Sequence, residues 1–219
     1  MITYDFICKD EEIKTYITAA DRILKSLGYT EHSLPHACKV ANDAADLLTN
    51  LGYDAHTAEL AKIAGYLHDI GNLVNRTDHW QSGAVMAFEI LRRYGMPADD
   101  ISVVVSAIGN HDETTGSPVS PVAAALILAD KSDVRRSRVR NEDVNRFDIH
   151  DRVNYAVYET ELRLKRAENT LLLRLSVDTS YGSVMDFFQI FAVRMAMCKT
   201  AAAELGLTFG LEINGQTMV

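Results

Sequence analysis

The dipeptide His68-Asp69 closes an apolar segment, GYLHDIGN, and is the first feature of the sequence that could do chemistry. A histidine beside an aspartate at the C-terminal end of a helix lies at the negative end of the helix dipole, which favours a bound cation. Taken alone, the pair also fits an exposed dipeptide that follows a helix. It therefore indicates a metal site only if other ligands converge on it.

Asp130 is a second candidate, because it follows the apolar run VAAALILA. On a helix it would share a face with Ala123 and Leu126, which puts its carboxylate on the buried side. A buried carboxylate needs a cationic partner, or it becomes protonated. That partner can be a metal ion, or it can be Lys131 or one of the arginines that follow, and the residues alone favour neither.

Three further histidines occupy the ends of predicted helices. His36 is near the start of a helix that begins at Ser33. His79 is in the first turn after Asp78, and His111 follows a helix in the segment GNHDET. Each of them, viewed singly, fits a structural role better than a functional one.

Taken in order, these residues read H…HD…H…H…D, and with this order the sequence resembles the HD-domain superfamily of metal-dependent phosphohydrolases. The resemblance covers about residues 30–140 and rests on the segments HSLPHACKV, YLHDIGN, HWQSGA, GNHDE and LILADKSD. The two middle histidines, His79 and His111, resemble the branch of the family that binds two metal ions.

The resemblance implies that His68 and Asp69 are catalytic and that one or two divalent transition-metal ions are bound. Histidine and carboxylate ligands without a thiolate suit Mn, Fe, Co, Ni or Zn better than magnesium. Two such ions can activate a water for attack on phosphorus. By the family's pattern, Asp69 would bridge the two ions, the first held by His36, His68, Asp69 and Asp130, and the second held also by His79 and His111.

Three departures from the cyclic-dinucleotide branch of the family bear on the substrate. Asn72 stands where that branch typically has the lysine of HDIGK, and Asn110 precedes His111 where it has a second histidine. The segment TTGSP follows where GYP is typical. These differences disfavour cyclic di-GMP as the substrate.

A basic cluster, KSDVRRSRVR, follows Asp130. Arginine binds phosphate with two parallel hydrogen bonds, so the cluster could hold a substrate phosphate on a helix that continues toward the pocket. It fits equally well a solvated helix end whose cations complement the dipole. The candidate phosphate-binding residues are Lys131, Arg135, Arg136 and Arg138, with His32, one turn before His36, and Glu113, which could also act as a general acid.

Helical periodicity predicts the elements that position these residues. The predicted helices span 10–27, 33–49, 56–69, 79–94, 99–109 and 121–136, although the β-branched run ISVVVSAI leaves a strand open for the fifth. After residue 150 a period of two predicts strands at 157–164 and 171–177, followed by a helix at 183–205 and a strand at 207–213. We therefore predict a mainly α protein, with an HD-type helical bundle as domain 1–150 and a small α+β subdomain (β-hairpin, helix, strand) at 151–219.

The composition fits a soluble protein of the cytoplasm. The 219 residues are 47% hydrophobic and 24% charged, with a net charge of −8 that argues against a nucleic-acid coat. The three cysteines, Cys8, Cys38 and Cys198, form neither a disulfide framework nor a metal-finger pattern. A signal peptide and an apolar run long enough to span a bilayer are both lacking, so we expect no membrane partner.

These features predict a metal-dependent phosphohydrolase that cleaves a phosphoester of a nucleotide or another small phosphorylated molecule with a metal-activated water. Two alternatives stay open: a di-iron oxygenase on the same fold, and a non-catalytic nucleotide-binding module that signals to a partner. The complete ligand set argues against the module. The edge strands and apolar face of the subdomain need cover, for which we expect a homodimer.

Overall fold

Residues 2–218, which the computed structural model describes, form mainly α-helices, with β-strands in the C-terminal part. This confirms the predicted fold class. The chain divides into two units, Met1–Asp130 and Lys131–Val219. The division falls earlier than residue 150, where the periodicity of the sequence changes. The assignment of 1–150 and 151–219 as domains stays a prediction.

The first unit is built from α-helices joined by turns and loops. The short 3-10 turn Ile70–Leu73 separates the fourth and fifth helices. The helices are α1 Tyr4–Ile7, α2 Glu11–Ser26, α3 Leu34–Leu51, α4 Ala55–Leu67, α5 His79–Arg93, α6 Ala98–Gly109 and α7 Pro121–Ser132, the last two residues of which belong to the second unit.

Local sequence sets where these helices begin and which face they bury. The carboxylate of Asp10 accepts hydrogen bonds from the backbone of Glu12 and Ile13 and so caps α2. The buried stripe of α2 includes Ile13 and Leu24, as its periodicity predicts. Asp78 precedes α5 but makes no side-chain cap, because its backbone has a left-handed conformation with φ 57°. The β-branched segment of α6 is helical, which excludes the strand alternative.

Helix α4 lies at the centre of the unit, packed against α3 and α6. Its approach to α3 depends on Gly65, where an added Cβ would lie 2.7 Å from the Cα of Ala41. The 3-10 turn depends on Gly71 in the same way, since a Cβ there would lie 2.0 Å from the carbonyl oxygen of His79. These two glycines let α4 and the turn after it pack closely on α3 and α5.

The helix predicted to continue to about Arg136 is shorter than expected, since α7 ends at Ser132. Asp133 is buried and its carboxylate accepts a hydrogen bond from Arg135 Nε at 2.8 Å. Residues two positions apart do not face each other on a helix, so this contact requires another conformation. Arg135 is extended, with φ −160° and ψ 149°, and a short 3-10 turn, Arg136–Arg138, follows it.

The second unit contains two helices and the sheet. Helix α8 and strand β4 are elements that periodicity did not predict, because both are short. The elements are α8 Ile149–Ala156, β1 Val157–Lys165, β2 Thr170–Val177, α9 Val184–Glu204, β3 Thr208–Ile213 and β4 Gln216–Thr217, with 3-10 turns at Val144–Arg146 and Arg166–Glu168.

The strands form a four-stranded sheet in the order β1-β2-β3-β4. The hairpin of β1 and β2 is antiparallel and places Leu162 opposite Leu173. Strand β3 is parallel to β2, which places Leu211 beside Leu173, and α9 makes the crossover and packs on β3. One face of the sheet is therefore apolar, whereas the other carries Arg174 and its ionic partners.

Among residues 2–218, no helix is both long enough and apolar enough to cross a bilayer. The cytoplasmic location stays a prediction.

Candidate metal centre

Side chains from five segments of the first unit converge on one site, and most of them lie at the ends of helices. His36 is in the first turn of α3, and His68 is the residue that ends α4. Asp69 follows directly, ahead of the 3-10 turn. His79 is the first residue of α5, His111 follows α6, and Asp130 lies in the last turn of α7. The structure thus brings together all six residues of the predicted ligand set.

One group of ligand atoms consists of His36, His68 and Asp130. The Nε2 atom of His36 lies 3.4 Å from Asp130 Oδ1, and that of His68 lies 3.6 Å from the same oxygen. Both rings are buried, with 0% and 1% of their surface exposed. Among the described residues, the buried Nε2 of His68 has no hydrogen-bond partner, although two carboxylates are close to it.

A second group consists of His68, Asp69 and His111. Asp69 lies between the two groups: its Oδ2 is 3.3 Å from His68 Nε2 and 3.8 Å from His36 Nε2, and its Oδ1 is 3.3 Å from His79 Nε2. Ligand atoms about 2.1 Å from one ion lie about 3.0–3.4 Å apart at octahedral or tetrahedral angles. Most of these separations fit that spacing, and Asp69 is placed to serve both groups.

Backbone carbonyls fix the tautomer of three of the rings. The Nδ1 atoms of His68, His79 and His111 donate to the carbonyl oxygens three residues earlier, at 2.8, 3.1 and 2.6 Å. A carbonyl oxygen only accepts hydrogen bonds, so each Nδ1 carries the proton and each neutral ring presents a lone pair on Nε2. All three Nε2 atoms lie within 3.3 Å of another site atom.

The lone pairs on Nε2 come closest to each other between His79 and His111. The Nε2 atoms of these two buried residues lie 3.3 Å apart. Neutral rings with these tautomers bring two lone pairs toward each other, which is repulsive. A cation between them, either a proton or a metal ion, removes the repulsion. The donor set of imidazoles and carboxylates suits a divalent transition metal.

The electrostatics of the site also favour a cation. Burial alone would lower the pKa of His68, but the carboxylates of Asp69 and Asp130 raise it to about 10. Burial would raise the pKa of Asp69, but His68 and His79 hold it well below its usual range. A proton on His68 thus balances the carboxylates in the protein alone, at the position that a metal ion would otherwise occupy.

Asn72 is not a predicted metal ligand, but it contacts one. In the sequence it stands out only as a departure from the motif HDIGK. Its Nδ2 donates to Asp69 Oδ1 at 2.8 Å and to the Asp69 carbonyl at 3.0 Å, and the residue is fully buried. Arg76 donates to Asn72 Oδ1 at 3.3 Å and lies over the ring of Tyr29. Asn72 therefore holds the carboxylate that serves both groups, and the only signal for this role was its position three residues after that aspartate.

His32 and Glu113 are the two predicted pocket residues outside the basic cluster. The ring of His32 contacts that of His36, with centroids 5.7 Å apart, and its Nδ1 lies 2.8 Å from the Thr30 carbonyl oxygen. Glu113 is half-buried. The carboxylate of its neighbour Asp112 accepts hydrogen bonds from both the backbone N–H and the hydroxyl of Thr114. Roles for His32 and Glu113 at the substrate stay predictions.

The basic cluster is engaged in contacts within the second unit. Arg138 is buried and donates to the Asp133 carbonyl at 2.8 Å, and Arg136 lies over the ring of Tyr155. Lys131 is also buried. These arginines do not form the solvated helix end that was one alternative, because the helix has ended before them. A phosphate role for Lys131, Arg135, Arg136 and Arg138 stays a prediction.

Comparison with known proteins places the site in context. Residues 34–135 match the family model described as HD domain. Ribonuclease Y of Thermosipho melanesiensis is 34% identical over 134 residues, which cover 57% of this chain and 24% of that protein. Ribonuclease Y of Opitutus terrae is 33% identical over 129 residues, covering 56% and 23%. This chain thus spans about a quarter of the length of these relatives.

Two further similarities extend the comparison. A protein of Methanocaldococcus jannaschii described as uncharacterised is 26% identical over 184 residues, covering 73% of this chain and 70% of that protein. The crystal structure of a predicted HD superfamily hydrolase from an uncultured Thermotogales bacterium is 25% identical, with a TM-score of 0.45, and covers 57% of this chain and 67% of that one.

Proposed function

Because residues 34–135 of this chain form an HD domain, we propose that the protein is a metal-dependent phosphohydrolase that cleaves a phosphodiester of a nucleotide or of another small molecule. The observation that carries the proposal is the convergence of lone pairs and carboxylates. The Nε2 atoms of His79 and His111 face each other at 3.3 Å, beside the carboxylate of Asp69. This arrangement needs a cation.

In this proposal the ligands divide between two ions, as the family resemblance implies. His36, His68, Asp69 and Asp130 would hold one ion, and Asp69, His79 and His111 would hold the other. Bound there, divalent transition metals supply a water of lowered pKa and neutralise phosphate oxygens. Manganese, iron, cobalt, nickel and zinc all suit these donors.

The chain's own residues prepare the site for that chemistry. The carbonyls of Gly65, Arg76 and Ile108 hold three rings with their Nε2 atoms directed inward. Asn72 keeps the Oδ1 atom of Asp69 in place. The leaving oxygen of a phosphoester needs a proton, and His32 and Glu113 are the residues that we propose to supply it.

Two findings bear on the bond that is cleaved and on the size of the substrate. The relatives named ribonuclease Y act, by their name, on RNA, which is a phosphodiester. The net charge of −8 opposes the approach of a long polyanion, which favours a substrate with few phosphates. A nucleotide-sized substrate with one or a few phosphodiester bonds satisfies both.

The test combines metal analysis with a substrate screen. The purified protein is expected to contain one or two transition-metal ions per chain and to hydrolyse at least one phosphodiester among cyclic nucleotides, dinucleotides and bis(p-nitrophenyl) phosphate. His111→Ala should lower the metal content and abolish this hydrolysis. His56→Ala is the matched control, because His56 is an exposed histidine that contacts Asp100, away from the site.

Some outcomes would contradict the proposal. Metal-loaded protein that hydrolyses none of the phosphoesters, or His111→Ala protein with unchanged metal and activity, would remove the proposed role. Iron-loaded protein that consumes oxygen with a substrate and hydrolyses no phosphodiester would instead support the oxygenase.

A further inference from the structure

Strand β1 lies at the edge of the sheet and is long for an edge strand. It spans nine residues and pairs on one side with β2. Within residues 2–218, its other side makes no backbone–backbone hydrogen bond with another strand. A row of open N–H and C=O groups on a strand of this length is a template for pairing with another strand.

The charges of β1 are arranged symmetrically about Leu162. The segment reads Glu159-Thr-Glu161-Leu-Arg163-Leu-Lys165, so two acidic residues precede Leu162 and two basic residues follow it. Alternate residues of a strand share a face, which puts all four charges on one side of the sheet. Glu159, Glu161 and Arg163 are exposed, and Lys165 is half-buried.

On that side the sheet already carries an ionic row that alternates in sign. Arg174 of β2 contacts Glu212 of β3 at 2.9 Å and Glu161 of β1 at 3.2 Å. The row ends at the negative Glu161, and the next position outward would favour a positive group. The side chain of Arg163, two residues along, is exposed.

We propose that β1 is the interface of a homodimer, in which the β1 strands of two copies pair antiparallel with Leu162 at the two-fold axis. The partner's Arg163 then lies opposite Glu161 and continues the row. The partner's Lys165 lies opposite Glu159, and on the other face the partner's Leu164 lies opposite Thr160. Two four-stranded sheets join into one continuous sheet through a self-complementary contact.

The charges also select this pairing over its competitors. A parallel pairing in register would place every charge against its own kind. An antiparallel pairing centred on Glu161 or on Arg163 would place that residue against itself. Like charges directly opposite each other destabilise a sheet, whereas opposite charges stabilise it. Charged edge strands normally prevent association, but this order of charges attracts a second copy.

The first experiment reverses charges on β1, singly and together, and measures the dissociation constant of the dimer by analytical ultracentrifugation. Wild-type protein is expected to be a dimer at micromolar concentration. Glu159→Lys and Lys165→Glu should each weaken the dimer roughly 10- to 100-fold, because each creates two like-charge pairs across the interface. The double variant restores both pairs and should restore the dimer. Arg92→Glu, which reverses an exposed cation with a local acidic neighbour, is the control and should leave the dimer intact.

The second experiment tests the register directly. Leu162→Cys places two cysteines opposite each other at the two-fold axis, where a small approach of the Cβ atoms, from about 4.5 Å in a close cross-strand pair, allows a disulfide. Mild oxidation should link the two chains through this cysteine, whereas Thr160→Cys should not cross-link. A monomer at every concentration, a dimer unaffected by both single reversals, or association of β1 with a different protein in place of a second copy would overturn the proposal.

Discussion

A hydrogen bond between a histidine Nδ1 and the carbonyl three residues before it recurs at His68, His79 and His111. Such a bond needs only a single local turn of backbone, so each ring is oriented by its own segment before the segments meet. The carboxylate of Asp69, which lies between the two ligand groups, must also be held against rotation about its side-chain bonds. Asn72 holds it, because the amide of Asn72 donates hydrogen bonds to both the carboxylate and the backbone carbonyl of Asp69.

We therefore expect Asn72→Ala to lower metal affinity about 10- to 100-fold, the usual effect of losing a partner of a metal ligand. Calorimetric titration of the metal-free protein with Mn²⁺ or Zn²⁺ measures this. Asn154→Ala is the matched control, because Asn154 is also a buried asparagine and its amide donates to the His150 carbonyl in the second unit. Equal affinities in the two variants would show that Asn72 does not position Asp69.

At this scale the six candidate ligands could be predicted only from the resemblance of their order to the HD-domain family, since each of them viewed singly fits a structural role better. The role of Asn72 could not be predicted, since an amide three residues after an aspartate usually has no such partner. The contacts of Arg138 were equally hidden. A basic residue in a cluster gives no sign that its guanidinium is buried against Asp133.

At the scale of elements, the ends of helices and the close packing between them set the positions of the candidate ligands. His36 is carried by α3 and His68 by α4, and these helices touch where Gly65 meets Ala41. Gly65 is also the residue whose carbonyl binds His68 Nδ1. One glycine thus sets both the separation of two ligands and the orientation of one of them.

Gly65→Ala is expected to push α3 from α4, because the new Cβ would lie 2.7 Å from a backbone atom that cannot rotate away. Overpacking of this kind costs about 1–3 kcal/mol, and metal affinity should fall with it as His36 moves from His68. Denaturant unfolding and metal titration measure the two effects. Gly109→Ala is the control, since its new Cβ would meet Ala84 at an ordinary 3.7 Å. Unchanged stability and affinity in Gly65→Ala would contradict the packing argument.

Periodicity predicted the helices α2 to α6 and α9 and the strands β1 to β3 well, because each buries a regular stripe or face. It failed at the end of α7, where side-chain contacts of Asp133 override a helical pattern. It could not predict that β3 lies parallel to β2, because which strands pair depends on the path of α9 and not on the pattern within either strand.

The whole molecule consists of two units, and the residues of the metal centre lie in Met1–Asp130. A ligand that binds only the folded state stabilises it by mass action, by about 2.7 kcal/mol at a free concentration one hundred times its dissociation constant. Stabilisation by metal should therefore be concentrated in the helices that carry the ligands.

Chelation is expected to lower the unfolding temperature and to increase hydrogen exchange in α4 and in the turn Ile70–Leu73. Exchange in β1 and β2 should change little, because those strands hold no ligand. Amide exchange followed by mass spectrometry, with and without metal, distinguishes the two regions. A uniform increase over both units would show that they unfold as one, and no increase in α4 would show that metal does not bind there.

The parallel pairing of β2 with β3 has a consequence for the time course of synthesis. The hairpin of β1 and β2 is complete at Val177, whereas β3 begins at Thr208. At about 5–20 residues per second, the ribosome needs roughly 2–6 s to make the segment between them. Until β3 joins the sheet, the hairpin has two open edges, and Arg174 can pair with Glu161 but not with Glu212. The hairpin is then open to pairing with other chains on both sides, and the arrival of β3 closes one of the two edges.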